Sequence, residues 1–197
     1  MVMTGDIDAA AETLYRAAGY STSEQAPPLA LAERLLGDGS VRTAPAHAMA
    51  SRGALVRIGG AWRIYLNAAC DPCRKRFVLL HELAHWALPD ATEEQCNRLA
   101  GALLLPRRAY LGLATGRAMS RIARIFGTDE SCAWLRLGEA TGRPLALVTP
   151  QTVRVRGEEF SWPECTAIRE LAEARTAPGL RRTRVNDAPN RLVLRSA

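Results

Sequence analysis

The sequence lacks long apolar runs. The longest, residues 99–105, covers about seven residues, whereas a helix that spans a bilayer needs about 20. The N-terminus also lacks the basic segment followed by an apolar segment that marks a secretion signal. These absences argue against an exported protein and against a membrane partner, and we expect a cytoplasmic location.

Cysteine is scarce and lysine is almost absent. The five cysteines are an odd number in a chain without an export signal, which favours reduced thiols over a disulfide framework. Lys75 is the only lysine, and every other basic residue is an arginine. Because a G+C-rich coding sequence alone produces such a bias, the net charge of +6 does not by itself predict nucleic-acid binding.

The composition is that of a globular protein of ordinary size. Hydrophobic residues make up 48% and charged residues 23% of the 197 residues, which excludes wholesale disorder, collagen and a coiled coil. The length fits one domain with a small appendage. We expect residues 1–142 to form this domain with its helical cover, and residues 143–197 to form a short strand and helix extension packed on it.

The spacing of apolar residues predicts an α+β fold that is mainly helical, with a short β-sheet ahead of its longest helix. Residues 8–18 and 29–36 have helical spacing. Residues 54–58 and 62–66 alternate and flank Gly59–Gly60, which predicts a β-hairpin.

Two longer helices are predicted after the hairpin. Asp71 and Pro72 are favoured residues at a helix start, and this helix runs to residue 88 before Pro89. Thr92 and Gln95 form the pattern of a capping box, and the second helix runs to about residue 105. Further predicted elements are helices at 120–126, 129–140 and 164–175, a turn at Pro178–Gly179, and strands at 145–148, 153–156 and 192–194.

The first long helix contains the pattern H-E-x-x-H at residues 81–85, in a chain with only three histidines. His81 and His85 lie one helical turn apart on the same face, so both imidazoles can reach one metal ion. Glu82 points slightly aside, toward a water on the metal, where it can act as a general base. The alternative is two histidines packed in an apolar helix, which is costly without a metal or hydrogen-bond partners.

A catalytic zinc ion normally has three protein ligands and one open position, so a third ligand must come from elsewhere. Asp90, Glu93, Glu94 and Cys96 are candidates just downstream. Glu93 lies at the edge of the apolar stripe of the second helix and faces the first, whereas Glu94 lies nearly opposite. Glu93 is therefore the predicted ligand, although the helix dipole also favours a carboxylate there. Asn97 could hydrogen-bond to a ligating histidine and fix its tautomer.

These two helices resemble the ImmA/IrrE metallopeptidases. The family pattern is R-F-x-x-x-H-E-x-x-H followed by E-x-x-A-N-x-F-A-x-x-L-L-M-P, and residues 76–85 and 93–106 match it in order. The resemblance is strong over about residues 54–113 and looser to residue 140. The departures are Cys96 for Ala, Leu99 for Phe and Leu105 for Met, apolar exchanges that we expect to leave the metal chemistry unchanged.

The resemblance implies a small gluzincin-like domain with the activity of a zinc-dependent endopeptidase. His81, His85 and Glu93 would hold Zn²⁺, and Glu82 would act as the general base. The resemblance also implies a protein substrate, a helix-turn-helix transcriptional repressor, whose cleavage would release stress-response, prophage or mobile-element genes.

Residues that contact the substrate are less well indicated. Strand 62–66 precedes the motif helix and could offer its edge to an extended substrate, or could be an ordinary sheet strand. Tyr65, Tyr110, His47 or an arginine could stabilise the oxyanion, and the sequence does not choose among them.

Three other features allow different functions. The C-x-x-C motif at Cys70 and Cys73 lacks a second such pair, which favours incidental thiols over a redox or zinc-knuckle role. Residues 120–130 have the spacing of a helix-turn-helix, but Ala133 and Arg136 fit that motif poorly, so packing helices are favoured. Arginines 181, 182, 184, 191 and 195 form a solvated surface or dock DNA or an acidic partner. The alternative function is therefore a non-proteolytic DNA- or partner-binding regulator that retains a structural metal site.

Overall fold

The computed structural model describes residues 6–114 and 118–142, and the backbone of four short strands beyond them. The chain divides into two compact units, Met1–Glu130 and Ser131–Ala197. The sequence-based division after residue 142 stays a prediction. None of the described helices is long and apolar enough to cross a membrane.

The elements follow the predicted α+β pattern, mostly helices with a small sheet ahead of the longest helix. The first unit begins with two helices and three strands, α1 (Ile7–Ala17), α2 (Pro28–Leu36), β1 (Val41–Ala44), β2 (Gly53–Ile58) and β3 (Ala61–Asn67). The helices that follow are α3 (Pro72–Ala87), α4 (Glu93–Leu104), α5 (Arg107–Ala114), α6 (Met119–Phe126) and α7 (Glu130–Thr141). The predicted fold class is thereby confirmed.

The three strands of the first unit form a sheet in the order β1-β3-β2. Gly59 and Gly60 have positive φ angles of 59° and 84° and join β2 to β3 in a two-residue turn. Strand β3 is antiparallel to β2 and parallel to β1, so it is paired on both sides. The prediction that residues 62–66 offer a free edge is therefore wrong, because the edge next to the hairpin belongs to β2.

The register determines which backbone groups of β2 point away from β3. Ile58 is paired with Ala61 across the turn, and the Asn67 N–H donates to the Arg52 carbonyl. Because hydrogen-bonded and non-hydrogen-bonded pairs alternate in antiparallel strands, the N–H and C=O groups of residues 53, 55 and 57 point outward. Strand β2 thus presents an edge without a strand partner in the described part of the chain.

Helices α3 and α4 are antiparallel neighbours whose ends are set by capping residues. The Asp71 carboxylate accepts from the N–H groups of Cys73 and Arg74 at the start of α3. Thr92 and Gln95 form the predicted capping box at the start of α4. The two helices share the core with the fully buried residues Leu80, Leu83, Leu99, Leu103 and Leu104. Their short connection brings the first turn of α4 beside the last turns of α3.

Buried polar groups tie α1 to α4. The Tyr15 hydroxyl donates to the Leu103 carbonyl at 2.8 Å and accepts from the Ala26 N–H at 3.1 Å. Burial raises the pKa of Tyr15 to about 12, only partly opposed by the Ala26 hydrogen bond, so the side chain is neutral. These bonds satisfy backbone groups that would otherwise be buried without partners.

Helix α6 ends at Gly127, whose φ of +63° is left-handed. A Cβ atom at this position would overlap the guanidinium of Arg76, which extends from α3. Arg76, the first residue of the R-F-x-x-x-H-E motif, therefore lies against the C-terminus of α6, where a cation is favoured by the helix dipole. Its position indicates a role in packing α3 against α6.

The second unit contains a four-stranded sheet described by its backbone alone. Its strands are β4 (Leu145–Val148), β5 (Val153–Arg156), β6 (Arg184–Val185) and β7 (Leu192–Arg195), in the order β5-β4-β7-β6. Strand β4 is antiparallel to β5 and parallel to β7. The strands predicted at 145–148, 153–156 and 192–194 are confirmed. The predicted helix 164–175, the Pro178–Gly179 turn, Cys165 and arginines 181, 182 and 191 lie outside the described residues.

Candidate metal centre

Three side chains from α3 and α4 converge on one point. Nε2 of His81 and Nε2 of His85 are 3.1 Å apart. Oε2 of Glu93 lies 3.3 Å from His81 Nε2, and Oε1 of Glu93 lies 3.3 Å from His85 Nε2. The i, i+4 spacing on α3 supplies the two rings, and the capping box that begins α4 at Glu93 supplies the carboxylate. The structure therefore brings together all three predicted ligands.

The spacing of the two ring nitrogens and the Glu93 carboxylate fits a zinc ion held between them. Ligand bonds of about 2.0–2.1 Å separate neighbouring ligand atoms by about 3.3 Å in a tetrahedron. Two imidazole nitrogens and one carboxylate are also a donor set found at catalytic zinc sites. Among the described residues, this is the only group of three or more His, Cys, Asp or Glu side chains that is close enough to hold one ion. The residues present thus fit the metal that the sequence implies.

The three side chains differ in burial. The side chain of His81 is 17% exposed and that of His85 is 29% exposed, whereas that of Glu93 is 75% exposed. The histidines therefore form the inner wall of the site, and the carboxylate stands at its rim. A molecule from solvent can reach the point where the three ligand atoms meet.

The surroundings of His81 favour the neutral ring that metal binding needs. Burial lowers the pKa of His81, and the nearby His85 lowers it further, while Glu93 and the nearby Asn97 side chain oppose the shift. Asn97 thus lies beside the predicted ligands. Nδ1 of His81 is buried and has no hydrogen-bond partner within the described residues.

Glu82 lies beside the converging atoms and is not one of them. Burial raises the pKa of Glu82, and the charge of His85 and a hydrogen bond from the Leu55 backbone partly oppose this shift. The acceptor is the Glu82 carboxylate and the donor is an outward-pointing N–H of β2. A carboxylate with a raised pKa that is held by one backbone donor is suited to take up a proton and release it again.

Gly53 allows β2 to pack against α3 at this point. A Cβ atom at residue 53 would overlap Cγ1 of Val78 and would lie 2.9 Å from Oε1 of Glu82. The glycine is therefore required by the close approach of the strand to the Glu82 carboxylate.

With Glu82 as the general base predicted from the sequence, replacing Gly53 with alanine should displace this carboxylate and lower kcat/KM for peptide hydrolysis by about 10- to 100-fold, because small displacements of a catalytic group carry such costs. The matched control is Gly112→Ala on α5, where an added Cβ meets no atom within 4 Å. Comparison of the two variants by steady-state kinetics, with zinc content measured in parallel, checks this expectation. Wild-type kinetics in Gly53→Ala would show that the packing against Glu82 does not matter.

Cys96, one of the candidate ligands named from the sequence, lies beside His85 and does not join the ligand cluster. Its Sγ lies 3.4 Å from Nδ1 of His85, the ring nitrogen that faces away from the ligand cluster. Burial raises the pKa of the Cys96 thiol, and the charges of Glu93 and Glu82 raise it further, so the thiol stays protonated at neutral pH. Cys96 thus contacts a predicted ligand, and the expectation that the exchange of Ala for Cys96 leaves the metal chemistry unchanged stays a prediction. The rare contact of a thiol with a histidine gives no periodic signal in a sequence.

The residues predicted to contact the substrate are not brought to the centre. Gly53 and Leu55 pair with Leu66 and Ile64, so these four residues share the sheet face that packs on α3. Tyr65 therefore points from the opposite face. Tyr110 is fully buried, and its hydroxyl donates to Sδ of Met119 at 3.6 Å, which leaves no surface for a substrate. His47 is exposed in the 3-10 turn Ala46–Ala48.

The remaining candidate ligands are separate from the cluster. Asp90 and Glu94 are exposed and do not join the group of converging atoms. Cys70 and Cys73 have free thiols and line an open cavity of about 480 Å³ together with Arg52 and Arg74. The described acidic, cysteine and histidine residues around this cavity do not form a second metal-binding group.

The helix-turn-helix interpretation of residues 120–130 is weakened by burial. Helices α6 and α7 are joined by a short turn, as the motif requires. However, every residue of α7 except Thr141 is buried or half-buried, Ala133 and Arg136 among them. A recognition helix must expose a face to the major groove. The burial therefore favours packing helices.

Comparison with known proteins shows a match to one family model and a similarity in fold to a solved structure. The family model of the IrrE N-terminal-like domain, peptidase M78, matches residues 40–133. The solved structure of a Mycobacterium tuberculosis transcriptional regulator is similar with a TM-score of 0.61 and 18% sequence identity over 91% of this chain. At this identity the similarity shows a shared fold alone, and the chain spans 64% of the length of that protein. None of the curated proteins matches the chain.

Proposed function

Because residues 40–133 form an IrrE N-terminal-like domain of the peptidase M78 family, we propose that this chain is a zinc-dependent endopeptidase. The domain itself is metallopeptidase-like. Beyond this, we propose that the metal is zinc, that the reaction is hydrolysis of a peptide bond within a chain, and that the substrate is a regulatory protein.

One observation carries the proposal. The two ring nitrogens are 3.1 Å apart, and each lies 3.3 Å from a different oxygen of the Glu93 carboxylate, close to the spacing of ligand atoms around a zinc ion. Beside them lies the Glu82 carboxylate, which is not a ligand. Structural zinc sites are closed by four protein ligands, whereas catalytic sites have three. The count of three converging side chains, one of them at a solvent-exposed rim, favours a catalytic centre.

His81, His85 and Glu93 would hold the zinc ion through Nε2 of each ring and the carboxylate. When bound, zinc supplies a Lewis acid that polarises the scissile carbonyl and acidifies a water molecule. Glu82 takes a proton from the attacking water and passes it to the amine nitrogen released from the broken peptide bond. The raised pKa of Glu82 supports this second step, because it helps the carboxyl group hold the proton between the two transfers.

The free edge of β2 supports an extended peptide as the substrate. The outward-pointing groups of Gly53, Leu55 and Arg57 follow the strand past Glu82. A substrate segment that adds to this edge would gain backbone hydrogen bonds and would pass beside the carboxylate. The Leu55 N–H donates to Glu82 and so holds the base at this edge, and a substrate strand would pair with the other outward-pointing groups.

We assign the substrate to the helix-turn-helix transcriptional repressors, in line with the resemblance of residues 76–106 to the ImmA/IrrE metallopeptidases. The test is co-expression of such a repressor with this chain, followed by mass spectrometry of the repressor. Zinc-dependent cleavage at one defined bond, absent in the Glu82→Gln variant, is expected. An intact repressor in the presence of zinc-loaded wild-type protein would contradict the assignment.

A second candidate is a regulator that binds DNA or a protein partner and keeps the metal for structure. It is favoured by the fold similarity to a transcriptional regulator. This candidate predicts that Glu82→Gln leaves the biological output unchanged. It also predicts a salt-dependent gel shift with DNA, and the absence of any shift at low ionic strength counts against it.

A further inference from the structure

The two histidines of the metal centre differ at their outer nitrogens. Nδ1 of His81 is buried without a hydrogen-bond partner among the residues that the structure describes. Nδ1 of His85 instead faces the Cys96 thiol at 3.4 Å, across the interface between α3 and α4. Cys96 is fully buried, so water does not compete for this contact.

The chemistry of the ring decides the direction of this contact. Nε2 of His85 faces Glu93 and His81, where a metal needs its lone pair. In the neutral ring the single N–H is then on Nδ1, and the Cys96 sulfur must be the acceptor. Metal-ligating histidines commonly donate this N–H to a carboxylate, a backbone carbonyl or water, which fixes the tautomer and the ring orientation.

We propose that Cys96 is a positioning residue of the metal centre, which accepts a hydrogen bond from Nδ1–H of His85 and thereby holds Nε2 toward the ion. This inference rests on the proposed zinc site. It gives a polar role to a position that is apolar in the family pattern, where alanine has no acceptor for this N–H.

The test measures zinc affinity by competition with a chromogenic chelator, in full-length protein. Cys96→Ala removes the acceptor, and Cys96→Val removes it while filling the space. We expect the zinc Kd of both variants to rise about 10-fold. This is the lower end of the range of about 10- to 100-fold for the loss of a hydrogen-bond partner of a metal ligand. Cys96→Ser, which keeps an acceptor, should stay within about 3-fold of the wild-type Kd, by the same relation.

A packing control comes from the same helix. Leu103 is also buried on α4, and Leu103→Val removes one methylene group away from the ligands. This variant should lower the melting temperature without changing the zinc Kd. Cobalt substitution gives a second readout, because a reoriented His85 shifts the visible absorption bands of Co²⁺ in the Ala and Val variants and leaves them unchanged in Leu103→Val.

Two results would overturn the proposal. One is a zinc Kd equal to the wild-type value in Cys96→Ala or Cys96→Val. The other is a loss of zinc affinity in Cys96→Ser as large as in the alanine and valine variants, which would show that Cys96 acts only through packing. In either case the wild-type protein still binds one zinc ion, so the proposed function stands. A wild-type protein that binds no zinc would instead remove both proposals.

The wild-type protein alone also tests the contact, should the Ala and Val variants fail to fold. His85 is partly exposed, and a hydrogen bond to the Cys96 sulfur would slow the exchange of its Nδ1–H proton with solvent. In zinc-loaded, ¹⁵N-labelled protein we expect this proton to give an observable, slowly exchanging NMR signal. Exchange as fast as that of a free imidazole would contradict the proposal.

Discussion

Replacing Glu82 with glutamine is expected to lower kcat for peptide hydrolysis by about 10²- to 10⁴-fold, the range attributed to general acid–base catalysis. Glutamine keeps the size of the side chain and can still accept the Leu55 N–H, but it cannot take a proton from water. The measurement is a single-turnover cleavage assay with zinc content determined on the same sample.

The zinc content separates loss of chemistry from loss of the metal. Glu82 is not one of the three converging ligands, so the glutamine variant should bind one zinc ion with the wild-type Kd. If Glu82→Gln cleaves the repressor as fast as wild type does, Glu82 is not the general base and the second candidate function gains support.

Replacing Glu93 with glutamine should raise the zinc Kd by at least about 100-fold, because a charged ligand is exchanged for a weak neutral one in a site with only three protein donors. Hydrolysis at limiting zinc should fall in proportion. Isothermal titration of the metal-free protein with zinc measures the Kd and the stoichiometry together.

The chain offers a matched control at the next residue. Glu94 carries the same charge in the same first turn of α4, but it does not join the converging atoms. Glu94→Gln should change the zinc Kd by less than about 3-fold, since it alters only the local charge. Equal effects of the two substitutions would mean that the carboxylates act through charge and that Glu93 is not a ligand.

The ligand set could be predicted from the sequence because helix geometry determines it. His81 and His85 are joined by a fixed i, i+4 relation, and the capping box at Thr92 and Gln95 sets where α4 begins. The helical period then turns Glu93 rather than Glu94 toward α3. Each of these relations joins residues that are close in the chain, and such relations can be read from a single sequence.

Only part of the sheet could be predicted from the sequence, because one of its strand pairings is not local. The hairpin of β2 and β3 is local, since two glycines with positive φ form its turn. Strand β1 pairs with β3 in parallel, and Val41 lies opposite Ile64, which is 23 residues later in the chain. No turn signal in the sequence marks such a pairing. Without β1, β3 looks like an edge strand, whereas the structure pairs it on both sides and leaves β2 at the edge.

Side-chain contacts between helices were the least predictable part of the site. Cys96 and Tyr110 both lie on the apolar stripes of their helices, and the periodicity alone predicts the same thing for both, a buried position. The structure separates them, because Cys96 faces a ligand ring and Tyr110 faces Met119 in the core. Distances across a helix pair depend on tertiary packing, which a single sequence does not encode in any spacing.

X-ray absorption at the zinc edge of the loaded wild-type protein tests whether His81, His85 and Glu93 hold the metal. We expect one nearest shell of nitrogen and oxygen ligands at about 2.0–2.1 Å, with the outer-shell scattering of two imidazole rings. A sulfur shell at about 2.3 Å would contradict it, because a thiolate would then occupy the position that the proposed hydrolase needs open.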